Sequence, residues 1–262
     1  MTSTTRNQRP IPPAVRRATL AAPLLAATLL AAGACGVTTD SRHDTQDFDH
    51  SGTQLTIEAA TSEVTVVAGD GPAVRVERWL DGTAAEQGNS TWSLSDGKLQ
   101  LQTRCEGIVV VCGSRFQVSV PRTTAVAVRT SAGAVTVSGL GNDVSVDSDD
   151  GPVQLNNTAG RIRVHTRTSD VTGRGLRSPS VDVDTEAGNL DVRFATAPTE
   201  VKLHSTHRDA TLALPAQDKG YHVVAESKNP NAESRSEVPD APASPWKATV
   251  TSDDGNAIVV RA

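Results

Sequence analysis

Val144-Ser145-Val146-Asp147-Ser148-Asp149-Asp150-Gly151-Pro152-Val153-Gln154-Leu155 contains the fold in miniature. Two apolar-x-apolar steps flank a turn of Ser, Asp, Gly and Pro. Alternation sends Val144, Val146, Val153 and Leu155 to one side of the strands and Ser145, Asp147 and Gln154 to the other. The phrase recurs outward in both directions. First strands start at Val126, Val144, Ile162, Val181 and Val201, and second strands nine residues later at Val135, Val153, Val171, Leu190 and Ala210. A repeat of 18–20 residues in constant phase is the signature of stacked coils. Three of the five turns carry glycine at one equivalent position (Gly133, Gly151 and Gly188), where a backbone free to take positive φ suits a tight turn.

The fold class that follows is all-β: a β-solenoid with two short strands per rung. Four buried aliphatics contribute roughly 6–12 kcal/mol per rung. Ordering each residue costs ~1–2 kcal/mol, so a rung is stable only between neighbours. Leu55-x-Ile57 with Val64-x-Val66 forms an earlier rung, and Ala248-x-Val250 with Ala257-x-Val259 a final one. Between the first two rungs the period breaks. Val74-x-Val76, Trp92-x-Leu94, Leu99-x-Leu101 and Phe116-x-Val118-x-Val120 predict a small antiparallel meander over 73–120, in which Trp79 and Trp92 pack the interior. Gly173-Arg174-Gly175 predicts a bulge. The proline-rich stretch 226–246 reads as a polar surface loop.

The first 34 residues stand apart. Arg6, Arg9, Arg16 and Arg17 precede a charge-free Ala/Leu run ending Ala32-Gly33-Ala34-Cys35, the pattern of an export signal. That ending resembles a bacterial lipobox, which makes Cys35 the lipidation site and the membrane a partner through its acyl chains. Ala32 departs from the usual Leu, and Ala-Gly-Ala also suits ordinary signal cleavage. The Arg16-Arg17 pair loosely resembles a twin-arginine signal. Residues 35–52 read as a polar tether, with His43 and His50 in solvent, and 53–262 as the solenoid domain. Removing the leader takes the formal charge from −5 to −9, a poor match for nucleic acid. Cys105 and Cys112 remain as an even pair in an exported chain, and a disulfide is the expectation.

Solenoid register aligns outward side chains in columns. One runs Arg129, Asp147, His165, Asp184, His204, and another Ala127, Ser145, Arg163, Asp182, Lys202. Alternating sign makes these a charge ladder. His165 and His204, two rungs apart, are spaced too widely to share one zinc ion. The acids of Asp147–Asp150 and Asp253-Asp254-Gly255 are what tight turns require, without calcium-loop spacing. No metal, cofactor or catalytic residue is therefore assigned.

The order of parts resembles the bacterial "putative adhesin" β-strand-repeat family, a domain of unknown function, in its actinobacterial exported-lipoprotein form. The resemblance rests on the leader and tether, Val118-Ser119-Val120-Pro121-Arg122, Val126-x-Val128, and Gly133-x-Val135-x-Val137. It implies a β-solenoid at the outer face of the cell membrane and brings no catalytic residues. The expected function is a non-enzymatic, lipid-anchored envelope protein presenting a binding surface to an envelope protein or wall component. A regulatory or sensing partner of an envelope-stress system is the alternative. A β-helix polysaccharide lyase or hydrolase is a weaker one, because aromatics are 3% of residues and the acids are scattered over turns.

Overall fold

A computed structural model of the chain describes residues 40–105 and 111–262. The stretch expected to be an export signal, Cys35 and the start of the expected tether lie outside the described residues. β1 (Ser41–Phe48) precedes the first coil, β2 (Gln54–Ala59) and β3 (Glu63–Gly69). β4 (Val74–Gly82), β5 (Ser90–Ser95), β6 (Lys98–Thr103) and β7 (Cys112–Pro121) come next. Five regular coils follow: β8 (Ala125–Thr130) with β9 (Val135–Ser138), β10 (Val144–Ser148) with β11 (Val153–Asn156), β12 (Ile162–Thr166) with β13 (Val171–Leu176), β14 (Ser180–Thr185) with β15 (Leu190–Phe194), and β16 (Glu200–Ser205) with β17 (Ala210–Leu214). β18 (His222–Ser227), β19 (Ser234–Ser236), β20 (Lys247–Ser252) and β21 (Ala257–Arg261) complete the described chain.

First strands of the coils form a ten-stranded sheet, β18-β20-β16-β14-β12-β10-β8-β2-β6-β5. Second strands form an eleven-stranded one, β1-β4-β7-β3-β9-β11-β13-β15-β17-β21-β19. The coil-to-coil pairings are parallel and in register: Val144 lies between Val126 and Ile162, and Val153 between Val135 and Val171. Each aliphatic thus stacks on its equivalent in the next coil. Val144, Val146, Val153, Leu155, Val181, Val183, Leu190 and Val192 are all buried in one core between the sheets.

Three expectations need correction. The stretch 73–120 is not one meander. Among the described residues, only β4 with β7, β1 with β4, and β5 with β6 are antiparallel. β6 and β7 are themselves a coil, stacked in parallel on β2 and β3, with Leu99 against Ile57 and Phe116 against Val64. The Cys105–Cys112 loop separates their strands more widely than a regular turn, so the spacing that marks other coils is lost. Residues 226–246 likewise include β19, which pairs with β21, while β18 pairs with β20. Their polar side chains suit an end strand because one edge meets water. At both ends, then, the chain steps outward, lays down an end coil, and returns to build the coil beneath or beside it.

The third correction concerns the tether. Ser41–Phe48 is an edge strand registered against β4 from Ser41↔Asp81 to Phe48↔Val74. Side chains rather than apolar alternation hold it there. Asp47 takes a bidentate hydrogen bond from Arg75, Phe48 meets Trp92 edge-on, and His43, still half exposed, stacks on Trp79 at 4.8 Å. Trp79 therefore lies on the outward face of β4, opposite Val76 and Arg78, and not in the interior as expected from the sequence. His50 is part-buried.

Arg78 closes this end. Alternation in Val74-x-Val76-x-Arg78-x-Leu80 points it inward, and it is only 6% exposed. Its guanidinium donates to the Ser90 carbonyl at 2.9 Å and to Asp44 at 2.8 Å, and lies 4.0 Å over the Trp92 ring. Burial alone would raise the Asp44 carboxyl. Hydrogen bonds from Arg42 and Arg78 outweigh it and hold the group below its ordinary value.

The turns are built on buried hydroxyls. Thr130, Ser148, Thr166, Thr185, Ser205 and Ser252 end successive first strands in register, and all are buried. Ser205 accepts from the Arg208 N–H and donates to the Gly188 carbonyl of the preceding turn. Ser252 accepts from Gly255 and donates to Arg208. These two hydroxyls thus close their own turns and tie each to the one before, whereas Ser148 bonds only within its turn, to the Asp150 carbonyl. At the bulge, the register shifts between Gly173 and Leu176. The space a side chain at Gly173 would fill is taken by the Leu176 Cδ1 methyl.

Candidate functional site

The outer face of the ten-stranded sheet carries the two columns read from the sequence. Register brings Arg129, Asp147, His165, Asp184 and His204 into line. The ladder is only partly closed. His165 Nδ1 lies 3.2 Å from Asp184, but Arg129 leans to Glu58 at 3.8 Å and His204 Nδ1 meets Thr251 at 2.9 Å. In the second column Arg163 reaches Asp182 at 3.6 Å, whereas Lys202 pairs with Glu200 of its own strand at 2.9 Å. The Lys202 ammonium holds the Glu200 carboxyl below its ordinary value, mainly by their hydrogen bond.

The turn acids are engaged locally. Asp150 accepts from the Gly151 N–H and from Thr168, Asp253 pairs with Lys228, and Asp254 meets His207 Nδ1 at 2.6 Å. Among the described residues, no three His, Cys, Asp or Glu side chains are grouped to hold a metal. Cys105 and Cys112 are bonded to one another, with their Cα atoms 6.0 Å apart.

A trough of about 450 Å³ runs along the second column, crossing β2, β8, β10, β12, β14 and β16. At ~4.8 Å per strand, five steps make it about 24 Å long. Small side chains, Thr56, Ala125, Ala127 and Ser145, line one part, and Arg161, Arg163, Asp182, Glu200 and Lys202 line the rest. The inward Val and Ile residues lock these strands, so the outward side chains stand on a fixed 4.8 Å lattice. Six of the outward-facing lining residues escape the column reading. Gln54, Ala125, Asp143, Arg161, Ser180 and Glu200 sit two positions before the named column, at strand entries that read only as turn ends. Period two is the signal that identifies them, because residues two apart share a face.

Residues 52–256 match the family described as Toastrack DUF4097. The chain belongs to that family. No curated protein matches it. Among solved structures, the Toastrack domain superposes on a "putative adhesin" from Bacteroides fragilis with a TM-score of 0.50 at 11% identity, covering 84% of this chain and 97% of that one. A "putative adhesin" from Parabacteroides distasonis gives 0.39 at 10% identity, covering 86% and 98%. A "putative lipid binding protein" from the same organism gives 0.29 at 11%, covering 87% and 98%. At these identities the likeness concerns fold, and only the first superposition is close enough to speak to it.

Proposed function

We propose that this Toastrack protein is a non-enzymatic binding protein of the cell envelope, exported, held at the outer face of the membrane by lipid on Cys35, and engaging an envelope protein or wall component through the trough. The observation that carries the reading is the trough itself: a fixed lattice of polar side chains open along six strands of a rigid stack. Sites that do chemistry converge a few groups on one point, whereas here the polar groups are spread along a line, which suits contact with something long. The adhesin name of the Bacteroides fragilis neighbour agrees with a surface location.

The test is photo-crosslinking on intact cells with a reactive residue at Arg163, and separately at Gln154 on the opposite sheet. The account expects one envelope molecule captured from Arg163 and not from Gln154. Equal or absent capture from both positions overturns it. Mass spectrometry of the mature N-terminus checks the anchor, with an acylated Cys35 expected and release of Cys35→Ala protein into the medium.

A further inference from the structure

We infer that the trough takes a linear, uncharged, hydroxyl-rich glycan laid along the stack, an assignment that rests on the binding role above and narrows it. The shape suits an extended ligand: the trough is about 24 Å long at ~4.8 Å per strand and is open along the outer face. The lining sets the chemistry. Asp143, Asp182 and Glu200 face Arg161, Arg163 and Lys202, so acids and bases balance and neither a polyanion nor a polycation gains from the local field. Such a surface offers donors and acceptors side by side. A sugar hydroxyl both donates and accepts, and satisfies either kind of neighbour.

Part of the trough's hydrogen-bonding capacity is free: Asp143 accepts from the Arg161 N–H, Arg163 reaches Asp182 and Lys202 pairs with Glu200, but the other polar side chains are uncommitted. Among the described residues, the side chains of Gln54, Ser145, Ser180 and Arg161 make no hydrogen bond, while Glu58, His165 and His204 in the adjoining column are already engaged. Ala125 and Ala127 leave the floor low enough for a ring to approach the backbone. No aromatic side chain lines the trough, so it lacks a stacking platform and each chain is held weakly. Many copies anchored on one surface raise the effective affinity without new contacts.

The test uses the full exported chain in detergent micelles and titrates linear neutral oligosaccharides of β-linked glucose, mannose or N-acetylglucosamine, beside a uronate polymer. Calorimetry and saturation-transfer NMR give the readout. The expected result is a neutral oligosaccharide bound at roughly millimolar to 100 μM Kd, insensitive to salt. Ala127→Trp, which fills the floor, weakens binding by about tenfold or more, and Arg161→Ala by roughly threefold to tenfold. Gln154→Trp on the opposite sheet leaves it unchanged, and unaltered circular dichroism confirms that each variant is folded. The inference is overturned if no neutral glycan binds, if Ala127→Trp binds as well as the parent, or if the uronate polymer binds better and is displaced by salt. If Arg163 still captures a protein on cells in any of those cases, the binding role survives and the glycan assignment alone fails.

Discussion

Replacing Arg78 with alanine should open the end of the solenoid nearest the proposed anchor while leaving its middle intact. The guanidinium makes two charge-assisted hydrogen bonds, to the Ser90 carbonyl at 2.9 Å and Asp44 at 2.8 Å, and covers Trp92 at 4.0 Å. Such bonds contribute about 1.5–3 kcal/mol each where buried, and a cation over an indole about 1 kcal/mol. Asp44 is partly open to water and keeps Arg42 at 2.6 Å, so its share is discounted. The expected loss is about 3 kcal/mol, with Arg78→Lys recovering part of it by keeping the charge without the fork. Because contacts in a stacked-coil protein run only to nearest neighbours, the loss should stay local. Hydrogen exchange is the assay: amides of β1 and β5 should lose protection while those of β12 keep theirs, and urea unfolding should gain an early phase. Unchanged protection in β1 and β5, or equal loss in β12, would refute the reasoning.

Three further outcomes follow from the turns and the cap. Thr185→Val removes a buried hydroxyl that accepts from the Gly188 N–H at 3.1 Å and bonds Thr166 at 2.8 Å, and should cost about 1–3 kcal/mol in urea unfolding. Gly151→Ala places a Cβ against the Gly133 backbone at φ 107° and should cost about 1–3 kcal/mol in the same assay, whereas the same change at Gly139, with open space around it, should cost less. Asp44 has a folded pKa below its unfolded value, so its contribution is complete above about pH 4 and is lost as pH falls through the lowered folded value. Acid titration should therefore change tryptophan fluorescence near the cap before far-UV circular dichroism, and coincident transitions would contradict this.

The regular coils were legible because sequence period and spatial period coincide: Val144 above Val126 is also Val144 eighteen residues after it. That coincidence fails where the chain lays coils out of order. Leu99 and Phe116 alternate properly and are fully buried, yet the intervening Cys loop hides the coil from any fixed spacing. β19 is hidden for another reason, since Ser234-Arg235-Ser236 is exposed throughout and carries no apolar signal. β1 is set by ion pairs to a strand distant in sequence, which local propensity does not register. Arg78 was legible in principle, as a charge at an inward position of an alternating strand. So was the hydroxyl column, since Thr130, Ser148, Thr166, Thr185 and Ser205 each lie four residues after a strand start, but a polar residue beside a turn looks ordinary until its register is known. In the trough, the outward direction of the column at Ala127, Ser145, Arg163, Asp182 and Lys202 was legible from period two. Its closure as a ladder was not, because rotamers sent Lys202 to its own strand.

Trough and cap alike depend on rungs stacked in the stated order, and spin-label dipolar broadening measures that order directly. Label pairs at Ser145/Arg163, Ser145/Asp182 and Ser145/Lys202 are one, two and three steps apart, about 5, 10 and 14 Å. Gln100/Arg129, on opposite sides of Glu58, is also two steps. The account predicts broadening that weakens in sequence across the first three pairs, with Gln100/Arg129 matching Ser145/Asp182. Equal broadening in the first three, or none between Gln100 and Arg129, would contradict it.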